Sequence, residues 1–276
     1  MADAISVTRD GRRTFLKWHR ARRRAGDTPF TGRRIVEGLR LGASAEVDLV
    51  VHGEGGFAVL HDLVLDRDTT GTGPVRAASA ATLRALHLRG ADGAPLPDRV
   101  MLIEDLCELM SCEGAHPEGL LQLDFKEDQV LDAGTIAAFH RIVAPVARHF
   151  VLSSGDVEAV RRLSEGVDGL RIGHDPCHFG AIERLRETSD FTSFVEGALA
   201  DAPQAEMIYL HHGLVLAASD QGVDLVAAFQ AAGRRVDAYT IRQADAEGVE
   251  TARRLLDLRV DQITTDDPEG LGAALA

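Results

Sequence analysis

Lysine is nearly missing from this 276-residue chain: Lys17 and Lys126 are the only two among 30 basic residues, and the rest are arginine. Aromatic residues make up 5%, and the single tryptophan, Trp18, reads as a core filler rather than a ligand platform. Cysteine is represented by Cys107, Cys112 and Cys177 with no CxxC spacing. An odd number without that spacing excludes a disulfide framework and a zinc ribbon, and fits small buried residues in a reducing compartment. No apolar run approaches the roughly 18 to 20 residues of a membrane span. The first twenty residues carry no apolar h-region, so the expectation is a cytoplasmic chain without membrane insertion. No large basic stripe is present and 43 acidic residues set the net charge at −13, which excludes nucleic acid as a partner. No linker or low-complexity segment interrupts the chain. With 45% hydrophobic and 26% charged residues, a single domain over residues 1–276 is expected.

What is there is an alternation. Strand-like runs fall at 14–19, 45–51, 57–61, 120–126, 149–153, 169–173, 206–211, 236–241 and 260–264, with amphipathic helical stretches at 33–41, 101–111, 134–147, 156–165, 224–232 and 246–256. The β-then-α order argues for a parallel sheet with helices outside. Runs 45–51 and 57–61 are joined by HGEGG, too short for a parallel crossover, so they form an antiparallel hairpin. Removing its return arm leaves eight strands. The fold class expected is therefore α/β, a TIM (β/α)8 barrel with a β-hairpin excursion after the second strand. A doubly wound open sheet is disfavoured because no glycine fingerprint follows the first strand. A hairpin centred between residues 54 and 55 would set Asp48 opposite His61.

The strand ends carry the chemistry. The first ends Trp18-His19-Arg20, the second holds Glu46 and Asp48 on one face, the return arm ends His61-Asp62, and the third holds Asp124 and Lys126. In a barrel all of these meet at the carboxyl-end mouth, where barrel enzymes keep their chemistry. Two carboxylates about 4 Å apart repel by roughly 4 kcal/mol at an effective dielectric of 20. Arg20 and Lys126 offset part of this, and a divalent cation held by Glu46, Asp48 and Asp124 offsets the rest. All-oxygen ligation selects Mg²⁺ or Ca²⁺, with Mn²⁺ a third option, over zinc. Two histidines, a Lewis acid and two cations suit phosphoryl transfer on a small anionic substrate.

These residues resemble the glycerophosphodiester phosphodiesterases. The likeness rests on His19-Arg20, Gly42-Ala43 ahead of Glu46-x-Asp48, Ala58-Val59-Leu60-His61-Asp62 and Leu65-x-Arg67-x-Thr69-Thr70-Gly71-Thr72-Gly73. It continues through Leu96-Pro97, Ile103-Glu104-Asp105-Leu106, Asp124-x-Lys126 and Ile263-Thr264-Thr265-Asp266-Asp267-Pro268. The resemblance implies a metal-dependent barrel enzyme that hydrolyses glycerophosphodiesters to glycerol 3-phosphate and an alcohol. It implies His19 and His61 as the catalytic pair, Glu46, Asp48 and Asp124 as metal ligands, and Arg20 and Lys126 as phosphate binders. There are departures: Ala21 stands at the family's glycine, Pro29-Phe30-Thr31 replaces a Glu-Asn-Thr, Asp124 replaces a Glu, and Tyr239-Thr240 replaces a Trp-Thr. Tyr239 keeps an aromatic wall with an added hydroxyl. The Asp-x-Lys pair also resembles sphingomyelinase D-type enzymes, which leaves a sphingomyelinase D-like or sugar-phosphodiester cyclising phosphodiesterase, with a cyclic phosphate product, as an alternative. A catalytically weak barrel that only binds a phosphorylated ligand is the other.

Two further groups lie at the expected mouth. Arg20-Ala21-Arg22-Arg23-Arg24 is read either as an electropositive rim for a second anionic group or as a solvated loop. His174 and His178 end the fifth strand and His211 and His212 the sixth, and His211 is taken as a substrate-contacting residue because it directly ends its strand.

Overall fold

The computed structural model describes residues 4–111, 115–126 and 130–276; Cys112 lies outside them. In chain order the strands are β1 (Ser6–Arg9), β2 (Arg12–Trp18), β3 (Ser44–Val51), β4 (Phe57–Val59), β5 (His87–Arg89), β6 (Pro95–Arg99), β7 (Leu120–Phe125), β8 (Phe150–Ser153), β9 (Arg171–His174), β10 (Met207–His211), β11 (Arg235–Ile241) and β12 (Gln262–Thr265). The main sheet runs β1-β2-β12-β11-β10-β9-β8-β7-β3-β4, and β2 also pairs with β3, which closes it. Removing antiparallel β1 and β4 leaves eight parallel strands surrounded by helices, a TIM barrel. All nine expected strands are present. The additions are β1 and the small β5–β6 sheet, whose short, half-exposed strands carry no alternating apolar signal.

Strand β3 shows why the sequence folds this way. Seven of its eight residues are buried, because one face meets the barrel interior and the other the helices. The helix before it, Gly32–Leu41, turns Ile35, Gly38 and Leu39 inward and ends at Gly42. Gly42 has φ +80°, its N–H caps the carbonyls of Gly38 and Leu39, and a Cβ there would meet His116 Nδ1 at 2.6 Å. Only glycine fits, which accounts for the Gly42-Ala43 pair ahead of Glu46.

The chain divides into two compact units. One comprises residues 1–19, 23–25 and 172–276. Its core joins the barrel-strand residues Leu16, Ile208, Val236 and Ile263 with Phe229, Leu255 and Leu271 from helices. The other comprises residues 20–22 and 26–171. Within it the excursion after β3 is larger than a hairpin: a 3-10 turn (Val75–Ala77), a helix (Ala80–Ala85) and the β5–β6 sheet follow β4. These build their own core from Val50, Ala58, Leu60, Leu83 and Leu102.

The hairpin register differs from expectation by one residue. Leu49 pairs with Val59, Val50 with Ala58 and Val51 with Phe57, and the turn is closed by His52 N–H to the Gly56 carbonyl at 2.9 Å. The centre is therefore residue 54, and the position in line with Asp48 is Leu60, not His61. A one-residue slip moves a side chain to the other face. Leu60 goes into the excursion core at 2% exposed, and β4 ends at Val59, whose N–H is taken by the Met101 carbonyl. His61 follows in the loop beyond.

Candidate active site

In the larger unit, β3 and β7 lie side by side in parallel with Asp48 in register with Asp124. Together with Glu46, two residues back on the same face, they form one cluster whose ligand oxygens all lie within 4.8 Å of one another. Burial, with Asp48 alongside, pushes the Glu46 carboxyl well above the usual carboxylate range. Cations answer this crowding. Lys126 Nζ lies 3.0 Å from Asp48 Oδ1 and also holds Asp124 Oδ2. Burial opposes the Lys126 charge, but Asp124, Asp48 and Glu46 outweigh it and raise the ammonium well above its usual value. Arg20 enters from the loop after β2. Its backbone N–H donates to Glu46 Oε2 at 2.6 Å and its Nε lies 3.5 Å from Asp48 Oδ2. That reach needs a left-handed backbone: Arg20 has φ +54° and Ala21 φ +55°.

The donor set is three carboxylates with no sulfur or imidazole, which suits a hard divalent cation. The two resident cations engage Asp48 at both oxygens, Lys126 at Oδ1 and Arg20 at Oδ2, and a carboxylate oxygen with one such partner keeps a further lone pair for a cation.

His61 stands on the same unit. Its Nδ1 is 2.7 Å from Asp62 Oδ1, and Arg67 grips Asp62 in turn at 2.9 and 3.0 Å. A His61 ring that donates through Nδ1 leaves Nε2 for a second partner. Sequence reasoning quoted Asp62 and Arg67 as motif residues without a role; the histidine's immediate neighbour is its orienting carboxylate.

Within the other unit, His19 Nδ1 is 2.5 Å from Asp266 Oδ1. Asp266 is the second carboxylate that sequence reasoning passed over, visible only as part of the Thr-Thr-Asp-Asp-Pro tail. His211 ends β10; its ring lies edge-on to Tyr239 at 6.0 Å and stacks on His212 at 4.9 Å. Burial, then His212 and Arg186, lower the His211 pKa, so the ring is neutral, and its Nδ1 accepts the Gly213 N–H at 3.1 Å. The tautomer therefore carries its proton on Nε2. His178 is held by Asp175 at 3.0 Å. In the basic loop, Arg23 and Arg24 both pair with Glu269, at 2.7 and 2.5 Å. Trp18 is fully buried and donates its indole N–H to the Ala4 carbonyl at 2.9 Å, as a core filler should. Among the described residues no helix is long and apolar enough to cross a membrane.

Comparison with known proteins adds the following. The sequence profile of the glycerophosphoryl diester phosphodiesterase family matches residues 37–270. No curated protein matches the chain significantly. Among solved structures, a Silicibacter pomeroyi DSS-3 protein provisionally named for that activity is similar at 21% identity and TM-score 0.70, over 95% of this chain and 93% of its own. A phosphodiesterase from Oleispira antarctica, solved in complex with the product sn-glycerol-3-phosphate, is similar at 20% identity and TM-score 0.65, covering 94% and 96%. The glycerophosphodiester phosphodiesterase of Agrobacterium tumefaciens str. C58 follows at 18% and 0.64, covering 94% and 99%. At such identities the structural likeness speaks for the fold.

Proposed function

Since the chain belongs to the glycerophosphoryl diester phosphodiesterase family, a family of hydrolases, we propose that it cleaves a small glycerophosphodiester to glycerol 3-phosphate and an alcohol. The observation that carries the reading is the Glu46–Asp48–Asp124 cluster bridged by Lys126. Glu46, Asp48 and Asp124 would hold one divalent cation, Mg²⁺ or Ca²⁺ with Mn²⁺ as the third option. When bound, that ion supplies charge neutralisation and Lewis acidity at the phosphate. Lys126 and Arg20 bind the phosphoryl oxygens; each already faces the carboxylates and has donors to spare.

His19 and His61 are the acid–base pair. Each is oriented through Nδ1 by a carboxylate, Asp266 and Asp62, so each offers Nε2 to the reaction. One Nε2 takes a proton from the attacking oxygen, and the other delivers one to the leaving alcohol. Tyr239 and the Nε2–H of His211 contact the substrate beyond the phosphate. The two free thiols found, Cys107 and Cys177, are buried, which supports operation in the reducing cytoplasm.

The test is hydrolysis of glycerophosphocholine, glycerophosphoethanolamine and glycerophosphoinositol followed by ³¹P NMR, with Mg²⁺, Ca²⁺ or Mn²⁺ and with EDTA. The expected product is glycerol 3-phosphate and the expected effect of EDTA is full loss of turnover. Turnover indifferent to EDTA overturns the cation assignment. A persistent cyclic phosphate moves the reading to the cyclising class. No turnover of any diester leaves a phosphate-binding barrel.

A further inference from the structure

One buried hydroxyl beside the carboxylate cluster has no place in the acid–base scheme. Ser153 ends β8, is wholly buried, and stands in parallel register with Asp124 on β7, as Asp48 does from β3 on the other side. Its Oγ donates to Asp124 Oδ1 at 2.9 Å. The same Oγ accepts the Nε2–H of Gln122 at 2.8 Å, and Gln122 is itself buried, two residues before Asp124 on the same face. A serine hydroxyl has a single proton. Because Gln122 supplies a donor from one side, that proton is committed to Asp124, and the chain of donors runs one way, from amide to hydroxyl to carboxylate.

We propose that Ser153, aimed by Gln122, is the positioning residue for Asp124 as a cation ligand. The proposal rests on the assignment of Glu46, Asp48 and Asp124 to a divalent cation. Asp124 is fastened at both oxygens, by Ser153 at Oδ1 and by Lys126 at Oδ2. Lys126 alone cannot fix it. The ammonium is on a flexible stem and is shared with Asp48, so its pull leaves the carboxylate free to turn about its own plane. The Ser153 hydroxyl comes from β8, whose four residues are all buried, so its direction is fixed by the strand. Partners of this kind behind a ligand are worth 10- to 100-fold in metal affinity. Removing Ser153 Oγ therefore weakens cation binding by roughly that factor.

The measurement is the dissociation constant of Mn²⁺, read from the electron paramagnetic resonance signal of the free ion, for the full chain and for Ser153→Ala, Gln122→Leu, Asp124→Asn and Ser153→Ala/Asp124→Asn. Ser153→Ala is expected to weaken binding about 10- to 100-fold, with Gln122→Leu in the same direction but less. Because Ser153 acts through Asp124, adding Ser153→Ala to Asp124→Asn is expected to change the constant less than twofold. A loosened barrel would instead weaken both backgrounds equally, and that result overturns the positioning role. So does a Ser153→Ala constant within twofold of the parent. If the parent chain binds no Mn²⁺, Mg²⁺ or Ca²⁺, the cation assignment itself fails, a different outcome from either of these. Should Ser153→Ala not fold, Ser153→Thr, which keeps the hydroxyl, is measured against Ser153→Val, which has the same shape without it. Equal constants for that pair refute the proposal.

Discussion

Lys17, one of the chain's two lysines, is buried in the smaller-numbered barrel strand β2, and its removal is the sharpest test of how the barrel interior is held. The Lys17 side chain is 3% exposed and that of Asp237, its partner on β11, is 0%; Nζ and Oδ2 are 2.9 Å apart. Thr264 Oγ1 donates to Asp237 Oδ1 at 2.6 Å, Gln262 donates to Oδ2, and Nζ sits 4.3 Å above the Tyr209 ring. Lys17→Met keeps most of the stem volume and removes the charge. It leaves a wholly buried carboxylate with hydrogen bonds but no counter-charge, which costs about 3–5 kcal/mol. In a chain of this length that corresponds to a fall in Tm of roughly 6–20 °C at 2–4 °C per kcal/mol. In Lys17→Met/Asp237→Asn no charge is left to strand, and the loss is expected to be smaller than in the single variant by about 2 kcal/mol, the coupling of the pair. Urea unfolding at 25 °C followed by the fluorescence of Trp18, buried next door in the sequence, reads both. A single variant within 1 kcal/mol of the parent, or a double variant as unstable as the single, refutes the reasoning.

Four shorter predictions follow from the same geometry. Ala21→Gly should stabilise the chain by about 1 kcal/mol in urea unfolding, because Ala21 is held at φ +55° where a Cβ costs that much; no gain would sink the strain argument. Asp62→Asn and Asp266→Asn should each lower kcat by about 10²-fold or more with little change in KM, since each frees the Nδ1 side of one histidine; unchanged kcat removes that histidine from the proposed pair. Burial lowers the His174 pKa, so the native state keeps the ring neutral while the unfolded chain protonates it near pH 6.5. The unfolded state then binds the extra proton, and stability falls as pH drops through the unfolded value; His174→Gln should flatten that slope, and parallel pH curves would contradict it. Burial pushes the Cys177 thiol up to about 12, so Ellman's reagent at pH 8 should leave it unmodified in the folded chain and react with it only after unfolding.

How much of this was legible in the sequence depended on whether the signal was local. Period and turn length were enough for the nine principal strands and for the return of β4, since alternation and a five-residue connection are properties of the segment itself. They were not enough for the register of that return. The half-residue between a centre at 54 and one at 54.5 is decided by which hydrogen bonds close the turn and by where Leu60 finds a core, and both depend on residues 75–102. The carboxylate cluster was legible for a different reason: Glu46 and Asp48, and Asp124 and Lys126, are each two apart, and a strand puts such residues on one face.

The same two-residue step, applied backwards from each functional position, reaches most of what was overlooked. Lys17 lies two before His19, Asp237 two before Tyr239, Thr264 two before Asp266, and Gln122 two before Asp124. Each is a buried polar residue, and three of them meet in one network while the fourth aims Ser153. A polar residue one pleat beneath a functional residue of a parallel barrel cannot face solvent, because both faces of such a strand are covered. It must therefore find a partner inside, and the partners available are the equivalent positions of neighbouring strands. This makes the lysine scarcity informative twice over. Lys126 sits among the proposed ligands, and Lys17 lies among residues too enclosed for a guanidinium with five donors to satisfy. Lys17→Arg should accordingly destabilise the chain although it conserves charge, and an Arg variant as stable as the parent would mean that the interior has room the barrel packing denies it.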